Sequence, residues 1–191
     1  GNGDARIRQR VGDVLIDLGD PAVAPLIEAL GHPDDAVRLE ATDTLTRIGS
    51  PVVADLTEAL SDERYRVRLG AAEILGRAGW TPETEGETVR YLIAKEQWAS
   101  VGEVGAGAVE PLIRTLNDPD TAIQMGAARA LGMIGAPAVA RLIDELRVEQ
   151  DGGQRKAVEA LKMIGEPAVA PLIDALQDRD WHIRLGTARA L

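Results

Sequence analysis

The residues of this chain that could do chemistry are few, and their spacing argues against a reaction centre. There are two histidines, His32 before Pro33 and His182 before Ile183, and no cysteine. A zinc site needs a close set of Cys and His ligands, and these two histidines do not form one. Acidic doublets are the other candidates: Asp34–Asp35, Asp118–Asp120 and Asp178–Asp180. Clustered carboxylates can hold Ca²⁺ or exchange protons in general acid–base catalysis. Each doublet, however, falls in a recurring turn just before a helical stretch. There a carboxylate caps backbone N–H groups and meets the positive end of the helix dipole. Capping is therefore the preferred reading. No Ser–His–Asp set, phosphate loop or dinucleotide fingerprint occurs. The expectation is no catalytic residue, no metal and no cofactor.

The elements around these turns repeat. Gly19, Gly49 and Gly79 form one run and Gly105, Gly135 and Gly165 a second, each at 30-residue steps, with 26 residues between the runs. After these marks come similar phrases: DPAVAPLIEAL from Asp20, AGAVEPLIRTL from Ala106, APAVARLIDEL from Ala136 and EPAVAPLIDAL from Glu166. A fixed period in this range signals stacked repeats. In the unit 20–49, Asp20 reads as a helix cap and Pro21 as the first helical position. Val23, Leu26, Ile27 and Leu30 give one apolar face at three- and four-residue spacing. Pro25, with Pro111 and Pro171 at matching positions, is expected to bend this first helix. A polar turn over 31–35 leads to a second helix, with Val37, Ala41, Leu45 and Ile48 inward and Gly49 as its C-cap. One such hairpin buries too little apolar surface to fold alone, so stability must come from neighbours.

The repeating phrase AVAPLIEAL, the stretch VRLEATDTL from Val37 and the terminal RIG resemble a HEAT-like repeat of the short prokaryotic kind found in phycobilisome-lyase-type proteins. Equivalents are VRLGAAEILG from Val67, IQMGAARALG from Ile123 and IRLGTARAL from Ile183. The resemblance covers nearly the whole chain. It implies an all-α fold, an α–α superhelix or HEAT-like solenoid of about six and a half hairpins, with second helices on the concave side. The organisation expected is a single array over 1–191. A partial second helix covers 3–19, regular units cover 20–49, 50–79, 106–135 and 136–165, an irregular unit covers 80–105 and a truncated unit covers 166–191. The family implies little about activity, since fold does not fix function. Its di-iron hydroxylase members carry repeated His–Glu pairs, which this chain lacks.

Two segments break the pattern. In 80–105, Thr81 and Pro82 read as a cap and first helical position, and Tyr91, Leu92 and Ile93 lead to Trp98 in a shorter second helix. Trp98 either fills volume lost from the shortened unit or offers an aromatic contact to a partner. In 148–161, Gly152 and Gly153 are expected to delay the second helix and make that hairpin the most mobile. Neither end carries a polar cap, which suggests a piece of a longer array or self-association through the ends.

On the second helices one exposed register runs Leu39, Leu69, Met125, Arg155, Leu185, mostly large and apolar. A neighbouring register is Glu40, Gly70, Gly126, Lys156, Gly186. A third holds Asp43, Glu73, Arg129, Glu159 and Arg189. Together they predict an apolar stripe with charged borders, a feature of interaction sites, unless these side chains pack on the next helix. The chain carries a net charge of −10, yet its regular second helices carry 14 basic against 8 acidic residues. Four of the basic residues, Arg8, Arg38, Arg68 and Arg184, share one position with Gln124 and Gln154. They are expected to form a ladder of hydrogen bonds between units, to turn residues such as Asp62, Asp118 and Asp178. Without them the excess falls to 10 against 8, too small a basic bias for strong nucleic-acid binding.

The leading expectation is a non-enzymatic scaffold that holds a protein or peptide, acidic ones included, on its concave face. The residues assigned to that contact are Leu39, Leu69, Met125, Leu185, Arg129, Arg155 and Arg189, with Trp98 as a further contact. A bilin lyase or pigment-handling subunit and a nucleic-acid binder similar to HEAT-like DNA glycosylases are the alternatives. No apolar run is long enough to span a membrane and no signal peptide is evident, so a cytoplasmic location is expected.

Overall fold

The computed structural model describes residues 20–147 and 153–191. Arg8, the partial helix 3–19 and Gly152 lie outside the described residues. All regular structure among those described is helical, and the helices form an α–α solenoid. The chain divides into two compact units, 1–95 and 96–191, and the division falls inside the irregular stretch 80–105. Glu96, the one non-glycine residue with positive φ among those described, stands at that division.

In the first unit, α1 (Asp20–Ala29) pairs with α2 (Asp35–Ile48), and α3 (Val53–Ala59) with α4 (Tyr65–Arg77). Helix α5 (Glu85–Ala94) packs on α4. Leu26 and Leu30 of the first hairpin share a core with Leu45, Leu56, Leu60 and Leu75. The second unit opens with α6 (Trp98–Val104) and continues through α7 (Val109–Thr115), α8 (Thr121–Ile134) and α9 (Ala136–Glu145). It ends with α10 (Gly153–Ile164), α11 (Glu166–Ala175) and α12 (Trp181–Ala190). Here α8, α10 and α12 lie side by side in one layer, and α7, α9 and α11 form the other. Leu112, Leu131, Leu142, Leu146, Leu161 and Leu172 fill the space between layers and are fully buried. Val169, Ile173 and Leu176 of α11 are exposed, although Val139 and Leu146 at the matching positions of α9 are buried.

The recurring glycine does more than end a helix. At Gly49, Gly105, Gly135 and Gly165 φ is +72 to +79° and ψ is −130 to −138°. These glycines cap the helices they end, as expected, in the mirror image of extended backbone, which a Cβ would strain. The Gly135 N–H donates to the Leu131 carbonyl, closing α8, while its own carbonyl accepts from the Ala138 and Val139 N–H groups, opening α9. One residue thus ends one helix and starts the next. Gly79 differs. Trp80 N–H reaches the Leu75 carbonyl and Gly79 N–H the Gly76 carbonyl, a Schellman ending, where the irregular stretch begins.

Two local expectations are corrected. Asp20 lies within α1 rather than before it. The helix after Trp80 starts at Glu85, not beside Pro82, because Thr84 and Glu87 form a reciprocal capping box. The backbone N–H groups of Glu83 and Thr84, and desolvation opposing them, leave the Glu87 carboxyl below its ordinary range. Proline inside the first helices leaves them continuous. Helices α1 and α11 run unbroken through Pro25 and Pro171. The 3₁₀ turn that precedes α7 also precedes α3, which carries Asp55 where α7 carries Pro111. Proline near the start of a helix removes one ladder bond, and packing between the layers holds the rest.

Gly132 provides a control for the hinge glycines. It sits within α8, and a Cβ there would come no nearer than 3.7 Å to Ile164. Gly135 has open space around it but φ of +74°. Gly135→Ala should cost about 1–3 kcal/mol, lowering the thermal midpoint by roughly 2–10 °C. Gly132→Ala should be neutral or gain up to about 1 kcal/mol. Thermal unfolding followed by circular dichroism separates the two, and equal effects would refute the conformational role of Gly135.

Candidate interaction face

The acidic doublets act as helix caps. Asp34, Asp120 and Asp180 accept from the N–H groups of Ala36, Ala122 and His182 at 2.8, 2.7 and 2.9 Å. Asp62, Asp118 and Asp178 accept, one step earlier, from the N–H groups of Arg64, Asp120 and Asp180 at 2.8 to 3.0 Å. The Arg64 side chain holds the Asp62 carboxyl below its usual range, and the His182 N–H does the same for Asp180. Among the described residues no group of three His, Asp or Glu is placed to hold a metal ion.

The expected inter-unit ladder turns out to be a clamp within each hairpin. Arg38 Nη1 donates to the carbonyls of His32 and Pro33, and Arg68 Nη1 to those of Asp62 and Glu63 at 2.9 and 2.8 Å. Arg184 Nη1 reaches the carbonyls of Asp178 and Arg179, and Gln124 Nε2 that of Asp118 at 2.6 Å. The acceptors are backbone carbonyls of the residue's own turn, because the side chain of the fourth helical residue points back over the N-terminal turn. Gln154 departs from this rule, bonding the Leu146 carbonyl and, at 3.4 Å, the His182 carbonyl of the next hairpin. Other ties between hairpins come from residues outside the ladder: Arg141 to Glu110, and Arg147 to Asp178 at 3.5 Å. The Glu110 carboxylate raises the Arg141 pKa.

The glycine register is not an open border. A Cβ on Gly70 would sit 3.2–3.3 Å from Leu30, and one on Gly186 would sit 2.9 Å from Leu146. Each glycine lets the preceding hairpin's leucine reach the helix backbone. At Gly126 the intruder is Trp98, whose indole would overlap the added Cβ. The Trp98 indole therefore rests on the α8 backbone and is half-buried, so its main visible contact is internal.

The remaining candidates point outward. Leu39 is 69% exposed on α2, and Leu69 on α4 is half-buried. In the second unit Met125 and Leu185 are 43% and 37% exposed, and Arg129, Arg155 and Arg189 are exposed. The packing of α8, α10 and α12 places Met125, Arg155 and Leu185 on adjacent helices. Arg155 pairs with Glu159 at 3.2 Å along α10. The register also continues one step further than the sequence reading followed it. Positions four and eight residues on share one helix face, which adds Arg47, Arg77, Met133 and Met163. Met133 and Met163 are 57% and 41% exposed. The signal was available in the spacing Met125–Arg129–Met133, but a −2 position beside the hinge glycine reads as helix end.

Two substitutions test these assignments. Gly126→Ala should cost about 1–3 kcal/mol by forcing the Trp98 ring aside. In Trp98→Ala/Gly126→Ala the glycine change should become nearly free, a coupling of about 1 kcal/mol or more in a denaturation cycle. Additive effects would contradict the contact. For the clamp, Arg68→Ala should cost about 1.5–3 kcal/mol, and Arg68→Gln clearly less, because Gln124 already makes the bond with an amide. Equal losses in urea denaturation would count against it.

Comparison with known families agrees with this architecture. The family model described as HEAT repeats matches residues 1–76 and 83–162. The model described as PBS lyase HEAT-like repeat matches residues 154–178. No curated protein is a significant match to the chain.

Proposed function

We propose that this chain, which belongs to the HEAT-repeat family, is a non-catalytic scaffold that holds a protein or peptide on the outward face of its second helices. HEAT repeats generally mediate protein interactions. The observation that carries the reading is the exposure of Leu39, Met125 and Leu185 at one repeated position, where solvation alone would favour polar side chains. The inward registers are occupied by core packing and the turns by caps and clamps, and this register is the repeated position of the second helices left open to a partner. The match to the lyase-type repeat spans residues 154–178 and speaks to the kind of repeat, so pigment chemistry is the weaker reading. Among the described residues, no helix is long and apolar enough to cross a membrane.

Affinity capture with the wild-type chain and with Leu69→Glu/Met125→Glu tests the reading. The double variant should keep its helical signal and lose the interactors that the wild type recovers. Recovery of the same set by a folded variant would remove the second-helix face from consideration.

A further inference from the structure

We propose that the second-helix face of residues 96–191 takes an acidic amphipathic helix, seating its apolar side on Met125, Met133, Met163 and Leu185. This rests on the scaffold reading above and adds the partner's chemistry. Methionine is ordinarily among the buried residue types and serves as core filler. All three methionines of this chain are instead exposed, on α8 and α10, while the core is built from Leu, Val, Ile and Ala. Met125 and Met133 stand eight residues apart, about 12 Å along one face of α8. Neighbouring helices in such a layer lie about 8–10 Å apart. An unbranched, polarizable side chain on that grid adapts to apolar anchors without a preformed pocket.

The charge on this face gives the sign of the partner. Helices α8, α10 and α12 carry six basic residues and one acidic residue, Glu159. Arg184 is engaged by its own turn, which leaves Arg129, Arg155, Lys156, Lys162 and Arg189 against Glu159 along the helices and the capping Asp120 and Asp180 at their N-terminal ends. Helices α7, α9 and α11 of the opposite layer carry two basic and five acidic residues. Those carboxylates stand a helix layer away, about one Debye length at ordinary ionic strength, and are largely screened. In the first unit α2 and α4 carry five basic and four acidic residues and no methionine, so that face is close to neutral. An acidic helix with apolar anchors fits the second unit and has no matching charge in the first.

Fluorescence anisotropy with the full chain tests this. The probe is a labelled amphipathic peptide with Leu anchors on one face and Glu on the other. Its comparison is the same peptide with each Glu replaced by Lys. The Glu peptide should bind at least about tenfold more tightly than the Lys peptide, and added NaCl should weaken it. Met125→Ser/Met163→Ser and, separately, Arg129→Glu/Arg155→Glu should each lower affinity about tenfold or more, with helicity and thermal midpoint unchanged. Ile173→Ser, at an exposed position of the opposite layer, should bind like the wild type. The proposal is overturned if the Glu peptide does not bind, or if both peptides bind alike. It is also overturned if a single-stranded oligonucleotide binds as well and is indifferent to the methionine changes, which would mark a simple polyanion surface. A dimer lost in the methionine variant would assign the face to a second copy, again against the proposal. If the Glu peptide fails to bind while Leu69→Glu/Met125→Glu still loses the captured interactors, the acidic-helix assignment falls and the scaffold reading stands.

Discussion

At four junctions among the described residues, one hairpin of this protein meets the next through a single residue held in the mirror image of extended backbone. Gly49, Gly105, Gly135 and Gly165 share that conformation within a few degrees. At Gly135 the N–H completes one helix while the carbonyl begins another. With so little chain between helices, the entry angle of the next first helix is set by backbone sterics rather than by a variable loop. The period follows from this, and so does the side-by-side packing of second helices. Where the turn changes to the Schellman form at Gly79, the regular spacing also stops.

Close approach is the second constraint, and it depends on the first. Leu30 reaches Gly70 and Leu146 reaches Gly186 because a fixed turn delivers each hairpin in the same pose. Trp98 occupies the corresponding place on α8 from a shorter helix, using ring volume where the other hairpins use a leucine. With the inward positions committed to packing and the turns to caps, differences between hairpins can accumulate on the outward register at little cost to the fold. That is where Leu and balanced charge in one unit give way to Met and excess base in the other.

Much of the architecture was legible before the structure was seen. The 30-residue step, the paired helices, the buried Val23, Leu26, Leu30, Ala41 and Leu45, and the capping role of the Asp doublets all follow from spacing and residue type. What spacing could not convey was direction. The side chains at Arg38, Arg68, Gln124 and Arg184 were correctly set apart, but their bonds turn back into their own hairpins, since a register names a face and not a reach. Thr84 and Glu87 outcompeted Thr81 and Pro82 because two reciprocal bonds fix a helix start more firmly than one favourable residue. Spacing places Gly70, Gly126 and Gly186 in one register, and only the neighbouring hairpin reveals them as contact points. Met133 and Met163 escaped notice through their nearness to a helix end.

The clamp also makes charge an independent variable. Its acceptors are main-chain oxygens, so the donor needs an N–H of suitable length and not a formal charge; an amide at Gln124 serves where a guanidinium serves at Arg68. Exchanging one for the other alters the electrostatic potential of a layer while the turn beneath it stays tied. A lineage, or an engineer, could therefore retune which ligands such a surface attracts by single-residue changes that scarcely touch folding.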